Sequence, residues 1–333
     1  MGSGRWSTDV YRARETKRKA SGASAFAYSD KARRSGTLKP HPTMDPHGVT
    51  FRESRDSAEH PTSNAIAVLF DVTGSMRKVP VELQKYLPQL LGLLLYKDYI
   101  PSPQILFGAI GDAYSDRVPL QVGQFESDNR MDEHLQNTVL EGGGGGTGHE
   151  SYEMALYFMA RHTSIDCYEK RRKKGYLFVI GDEKAYTTIK RDQVQQHIGD
   201  GMEDDIMLLE DLIPQVKEKY HVYHIIPTVT SHGRNPAMYD FWKEYLGEQH
   251  VLKLDDIESV AETIAMTIGM NEGTIGLDDG MEHLKEMGTK SETIETVSRA
   301  LAVLPNNNLA KGRGGSLSGL DDDGDGSGGT RRL

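Results

Sequence analysis

Apolar positions along this chain follow two different periods. Ala65 to Phe70 is an unbroken run of six apolar residues, as expected of a strand buried on both faces. Ile105 to Ile110 and Gly175 to Gly181 repeat that pattern, and His221 to Thr228 and Val251 to Leu254 predict two more strands. Helical stretches lie between them: Val81 to Tyr96, Met131 to Leu140, Tyr152 to Arg161, Asp205 to Tyr220 and Ala237 to Leu246. Pro88 and Pro214 fall inside two of these; proline removes the bond to the carbonyl four residues back, so a kink and a break are expected there. Asp255 or Asp256 can cap a closing helix, in which Ile257, Val260, Ala261, Ile264, Ala265 and Ile268 share one apolar face. Val118 to Phe125 predicts a strand joined by a short link to Ile105–Ile110, hence an antiparallel pair. Strands alternating with helices predict an α/β fold: a doubly wound, mostly parallel sheet, one antiparallel edge strand, and helices on both faces.

Composition divides the chain. Residues 1–61 are rich in Ser, Gly, Arg and Lys, show no apolar periodicity, and end in Pro40, Pro42, Pro46 and Pro61; a basic arm without regular structure is expected. Residues 62–270 carry the alternating pattern, 271–304 add one or two helices, and 305–333 read as a flexible Gly/Asp/Ser-rich tail. The net charge of −10 is uneven. Residues 1–39 carry +7, residues 311–333 carry none, and −17 remains for the body. Cys167 is the single cysteine, which leaves no internal disulfide and points to a reducing, cytoplasmic setting. The first residues have no apolar signal core, and the best apolar run, Leu87 to Tyr96, is interrupted by Pro88, Gln89 and Gly92. No membrane partner is expected.

The chemistry sits where the apolar strands end. Ala65–Phe70 runs straight into Asp71-Val72-Thr73-Gly74-Ser75, a carboxylate and two hydroxyls at alternate positions. Glu141 precedes five glycines and Thr147-Gly148-His149-Glu150, and the strand Gly175–Gly181 ends on Asp182-Glu183. Open α/β sheets bind at the carboxyl ends of strands, and oxygen donors carrying little charge suit a hard divalent cation.

This set resembles a von Willebrand factor A (vWA) domain of intracellular type with an intact metal-ion-dependent adhesion site. Asp71, Thr73 and Ser75 match the first loop of that motif, Thr147 the second and Asp182 the third, with 72 residues from Ser75 to Thr147 and 35 more to Asp182. Thr73 stands where serine is more usual; the hydroxyl is kept and a methyl added. The resemblance covers residues 62–270. It implies a bound Mg2+ (or Mn2+) whose open position takes an Asp or Glu carboxylate of a protein partner, with Asp182 as the candidate switch residue. It also implies an intracellular multi-protein or AAA+ ATPase-linked assembly, and no enzyme. Arg77, Asp112, Tyr114, Asp116, Lys184, Tyr186 and His232 are candidates for the partner-binding rim, since loops on the site's side of such sheets carry function.

Other motifs read more plainly. The glycine run ends Gly148-His149-Glu150, without the Gly-Lys-Ser/Thr of a phosphate loop. Asp321, Asp323, Asp325 and Gly326 open like a calcium loop but meet Arg332 where a glutamate is needed. His221 and His224 read as packing and rim residues, and Cys167, despite Arg171, Arg172 and Lys173 nearby, as inert. Two alternatives to docking remain: a metal-dependent hydrolase using the same Mg2+ with Glu183 or His149 as base, and non-specific nucleic-acid binding through the basic arm.

Overall fold

A computed structural model describes residues 4–76, 78–143 and 148–305. Six strands form one sheet: β1 Asn64–Asp71, β2 Pro103–Ile110, β3 Leu120–Val122, β4 Gly175–Ile180, β5 Tyr220–Pro227 and β6 Val251–Leu254, in the order β6-β5-β4-β1-β2-β3. All neighbours are parallel except β2 and β3, where Gly108 pairs with Val122 and Ile110 with Leu120 in antiparallel register. The fold is thus mixed α/β with a mostly parallel central sheet, as the alternation predicts.

Because side chains alternate along a strand, each face of the sheet builds its own core. Ile66, Val68 and Phe70 join Ile105, Phe107, Tyr176, Phe178, Ile225 and Leu252 on one face. Ala65, Ala67, Leu69, Leu106, Leu177, Val179 and Val222 join the core on the other. The chain leaves β1 over the first face through the helix Lys78–Leu91 to β2; it leaves β4 and β5 over the second, through Ile213–Lys219 and Pro236–Leu246. Winding therefore reverses between β1 and β4. Ligand crevices of open α/β sheets form at that reversal, beyond the strands' carboxyl ends.

Local departures have local causes. Pro88 sits within Lys78–Leu91, which then widens into a π-turn over Gly92–Tyr96. The segment read as helical from Asp205 opens instead with a short strand, Ile206–Met207, and a π-turn, Leu208–Leu212. Its helix is Ile213–Lys219, with Pro214 in the first turn, where no donor is missed. Asp256 caps Ile257–Ser259 by accepting from Glu258 N at 3.0 Å. The helix Val260–Asn271 is buried on all sides, because Leu277–Glu286 and Ser291–Leu301 cover the side its polar residues would expose; Leu284, Val297, Ala300 and Leu301 enter the same core.

The basic arm is the main correction. Its described part folds into helices Thr8–Ala20 and Ala27–Arg34. Ser7 caps the first through Val10 N, and basic residues fill both last turns, where the helix dipole favours them. Anchoring rests on a few buried side chains, Trp6, Tyr11, Phe26 and Ala32, and on the Tyr11 hydroxyl donating to Gln84 O at 2.6 Å. Three aromatics at irregular spacing leave no periodic trace in the sequence.

Candidate metal centre

β1 delivers Asp71 to the middle of the sheet's carboxyl edge, and the register Phe70↔Ile180 places Asp182, two residues beyond β4, on the adjacent strand. Both carboxylates are buried. Asp71 Oδ1 accepts from Thr73 N at 2.7 Å and Thr73 Oγ1 at 2.5 Å, so the acid folds its own loop back around itself. The Tyr152 hydroxyl donates to Asp71 Oδ2 at 3.0 Å. Gly181 makes room for that ring: a Cβ there would collide with the Tyr152 hydroxyl. Ser75 Oγ, exposed, donates to Asp182 Oδ1 at 3.0 Å. Asp71, Thr73, Ser75 and Asp182 are thus brought together.

Thr147 and Arg77 lie outside the described residues. The flanks of the glycine run are anchored on both sides: Gly142 N donates to Val72 O and Gly74 N to Gly143 O, while Lys184 N donates to Gly148 O. His149–Glu150 then pairs in parallel with Lys184–Ala185. The described flanks of the run thus meet the Asp71 loop on one side and the Asp182 loop on the other.

Sequence reasoning missed part of the site. Glu150 is buried with both carboxylate oxygens unpartnered among the described residues, and so is Asp182 Oδ2. Burial, reinforced by the charges of Asp71, Glu183, Asp116 and Asp112, pushes the Glu150 carboxyl far above its ordinary range. Burial also raises Asp71, with Asp182 adding to it against the hydrogen bonds from Thr73, and raises Glu153 to about 8. Tyr152 is held neutral by burial, so it acts as a donor. The one available signal for Glu150 was its place three residues after Thr147. An acid ahead of an apolar helix, however, reads as a helix-start residue. Orphaned buried carboxylate oxygens, two neighbouring hydroxyls and no Lys or Arg ion-paired to Asp71, Glu150 or Asp182 among the described residues form a donor set that fits a hard divalent cation.

The rim candidates divide. Asp112 is fully buried and accepts from Tyr114 N, Ser115 Oγ and the Tyr186 hydroxyl, the last at 3.1 Å. Asp116 turns inward, its Oδ2 accepting from Asp112 N at 2.9 Å. Asp112 shapes the loop rather than meeting solvent, while Asp116 stays half-buried. Tyr186 lies between the rings of Tyr114 and His149, with centroids at 4.5 and 5.2 Å, and Tyr114 is 54% exposed. Lys184 stands 5.8 Å from the Phe241 ring centroid. His232 Nδ1 meets Glu183 Oε1 at 2.7 Å. His224 is a packing residue: stacked on Trp242 at 3.9 Å, donating from Nε2 to Gly181 O, and pushed by burial down to about 3. Cys167 is buried and its thiol raised by burial, in keeping with an inert side chain.

No protein-family model matches this chain, and no curated protein matches it. Among solved structures it is similar to the pilus adhesin SpaC from Lactobacillus rhamnosus GG. The open conformation aligns with a TM-score of 0.43 and 8% identity over 66% of this chain, and another form with 0.40 and 10%. The chain spans about a third of that adhesin's length, 31% and 32% in the two forms.

Proposed function

We propose that this chain is a vWA-type domain that holds Mg2+ or Mn2+ at the ends of β1 and β4 and uses it to dock an acidic residue of a protein partner. The observation that carries the reading is the set of buried carboxylate oxygens without a partner among the described residues, both of Glu150 and Oδ2 of Asp182, beside Asp71 at the winding reversal of the sheet. Asp71, Thr73, Ser75, Thr147 and Asp182 would hold the ion, with Glu150 as a further oxygen donor. The bound cation supplies an electrophilic position open to a foreign carboxylate. The chain's own groups prepare that position. Tyr152 and Thr73 fix the Asp71 carboxylate, and Ser75, exposed and bonded to Asp182, lies where the partner would arrive. Tyr114 and His232 add exposed contacts beside it.

Docking is favoured over hydrolysis because Glu150, Glu153 and Glu183 are buried and half-buried His149 is stacked on the Tyr186 ring, whereas a general base must reach the water it activates. Arm cations are partly committed within the chain: Arg14 to Glu133, Arg18 to Gln84, and Arg33 to the carbonyls of Leu140 and Glu141. That weakens the nucleic-acid alternative. Among the described residues no helix is long and apolar enough to cross a membrane. The resemblance supplies the remaining expectation, a cytoplasmic assembly with an AAA+ ATPase. Affinity capture from the native host tests the reading. A protein retained in Mg2+, lost in EDTA and lost with Asp71→Ala supports metal-bridged docking, and an identical catch in all three ends it.

A further inference from the structure

Beyond the first site, we propose that Asp182, Glu183 and His232 hold a second divalent cation, of the zinc class, that shares Asp182 with the first. One ligand atom from each of the three side chains lies within 4.8 Å of the other two. His232 Nδ1 and Glu183 Oε1 are 2.7 Å apart, close to the edge of about 3 Å expected between adjacent ligands whose bonds to a metal are about 2.1 Å. Asp182 gives Oδ1 to Ser75 and leaves Oδ2 buried and without a partner among the described residues. One imidazole and two carboxylates differ from the all-oxygen set around Asp71: imidazole nitrogen suits zinc, whereas Mg2+ and Mn2+ prefer oxygen.

The three ligands sit on well-supported backbone. The Trp242 indole donates to Glu183 O at 3.0 Å. The loop after β5 folds back on itself: Gly233 packs so tightly on the Pro227 carbonyl that no Cβ fits, Thr230 Oγ1 accepts from Gly233 N at 3.0 Å, and Asn235 N donates to His232 O at 2.9 Å. The His232 side chain is 47% exposed, which leaves an entry path and open coordination positions on the solvent side. With Asp182 common to both sites, filling one must change affinity at the other by the same factor in each direction.

The test is calorimetric titration of Zn2+ into the full chain, first stripped by chelator and then held in millimolar Mg2+, with Co2+ absorption as a second readout. The wild type is expected to take up one Zn2+ per chain and to give Co2+ bands characteristic of nitrogen ligation. His232→Ala and Glu183→Gln should each weaken uptake at least about tenfold, by loss of one of three protein ligands, while keeping the melting shift caused by Mg2+. Asp71→Asn should lose that Mg2+ shift and still bind Zn2+, so failure of the first site leaves the second standing. No uptake by the wild type, or uptake unchanged in both His232→Ala and Glu183→Gln, would overturn the assignment.

Discussion

The two ends of β1 and β4 treat their acids in opposite ways. At the amino ends, Asp56 accepts from Arg171 at 2.7 Å, Asp166 meets Arg55 at 2.8 Å and Lys170 at 2.7 Å, and Glu169 meets Arg55 at 2.9 Å. Burial opposes ionisation there, yet hydrogen bonds from Arg171 and Ser63 hold Asp56 well below its ordinary range; Lys170 and Arg55 lower Asp166, and Ser164 and Arg55 lower Glu169. At the carboxyl ends, Asp71, Glu150 and Glu153 are fully buried, as only Asp166 is at the other end, and all three are raised. Buried charge is tolerated only when paired or neutralised. The amino-end cluster is closed by cations of the chain itself and is structural. The carboxyl-end cluster is left short of positive charge, and an external cation is what would complete it.

The largest effect should therefore come from supplying that cation. At a hundredfold excess over its dissociation constant, Mg2+ bound only by the native state stabilises by about 2.7 kcal/mol. That should raise the melting temperature of chelator-stripped protein by roughly 5 to 10 °C. Asp71→Asn should abolish the shift in differential scanning calorimetry. A wild type whose melting point ignores both Mg2+ and Mn2+ would remove the contrast between the two ends altogether.

The structural end should respond in the complementary way. Arg55→Ala takes a shared partner from Asp166, Glu169 and Glu53. Arg55 is 28% exposed and Lys170 still reaches Asp166, so the cost is discounted to about 1 to 2 kcal/mol, or about 2 to 8 °C. The Mg2+ shift should survive intact. Its loss in this variant would mean that the amino-end ion pairs reach the site through the strands.

The two ends also differed in legibility. Asp71 and Asp182 could be read because each closes an unbroken apolar strand, and the order of such strands determines which ends meet. The Arg55 cluster could not: Arg55 and Asp166 lie 111 positions apart and acquire meaning only after β1 and β4 pair. Glu150 was hidden by resembling the opening of the helix Tyr152–Arg161. The arm helices were hidden because Trp6, Tyr11 and Phe26 anchor them without any period. Thr147 was read from its resemblance to the family motif and lies outside the described residues.

The dependence on pH is read last, because its sign separates the ends most finely. Glu153 moves from an ordinary 4.5 to about 8 in the fold, and Glu150 moves the same way. Between those values the folded chain holds protons that the unfolded chain has released, so metal-free stability must fall as pH rises from about 4.5 to 8, by at most about 1.4 kcal/mol per pH unit for each group. Asp56, Asp166 and Glu169 shift downward. Their contribution is present above their ordinary range and disappears as acid protonates them through their lowered values. Urea titrations in EDTA should accordingly show a maximum at roughly pH 4 to 5, with the alkaline limb set by the site and the acid limb by the ion pairs. Glu150→Gln should flatten the alkaline limb alone and Arg55→Ala the acid limb alone. Saturating Mg2+ should flatten the alkaline limb of the wild type as well, because the ion offsets the charge that rising pH exposes. Metal-free stability that stays level or climbs from pH 5 to 8 would show that the crowded acids are solvated or paired, and the case for a cation completing that end would fail with them.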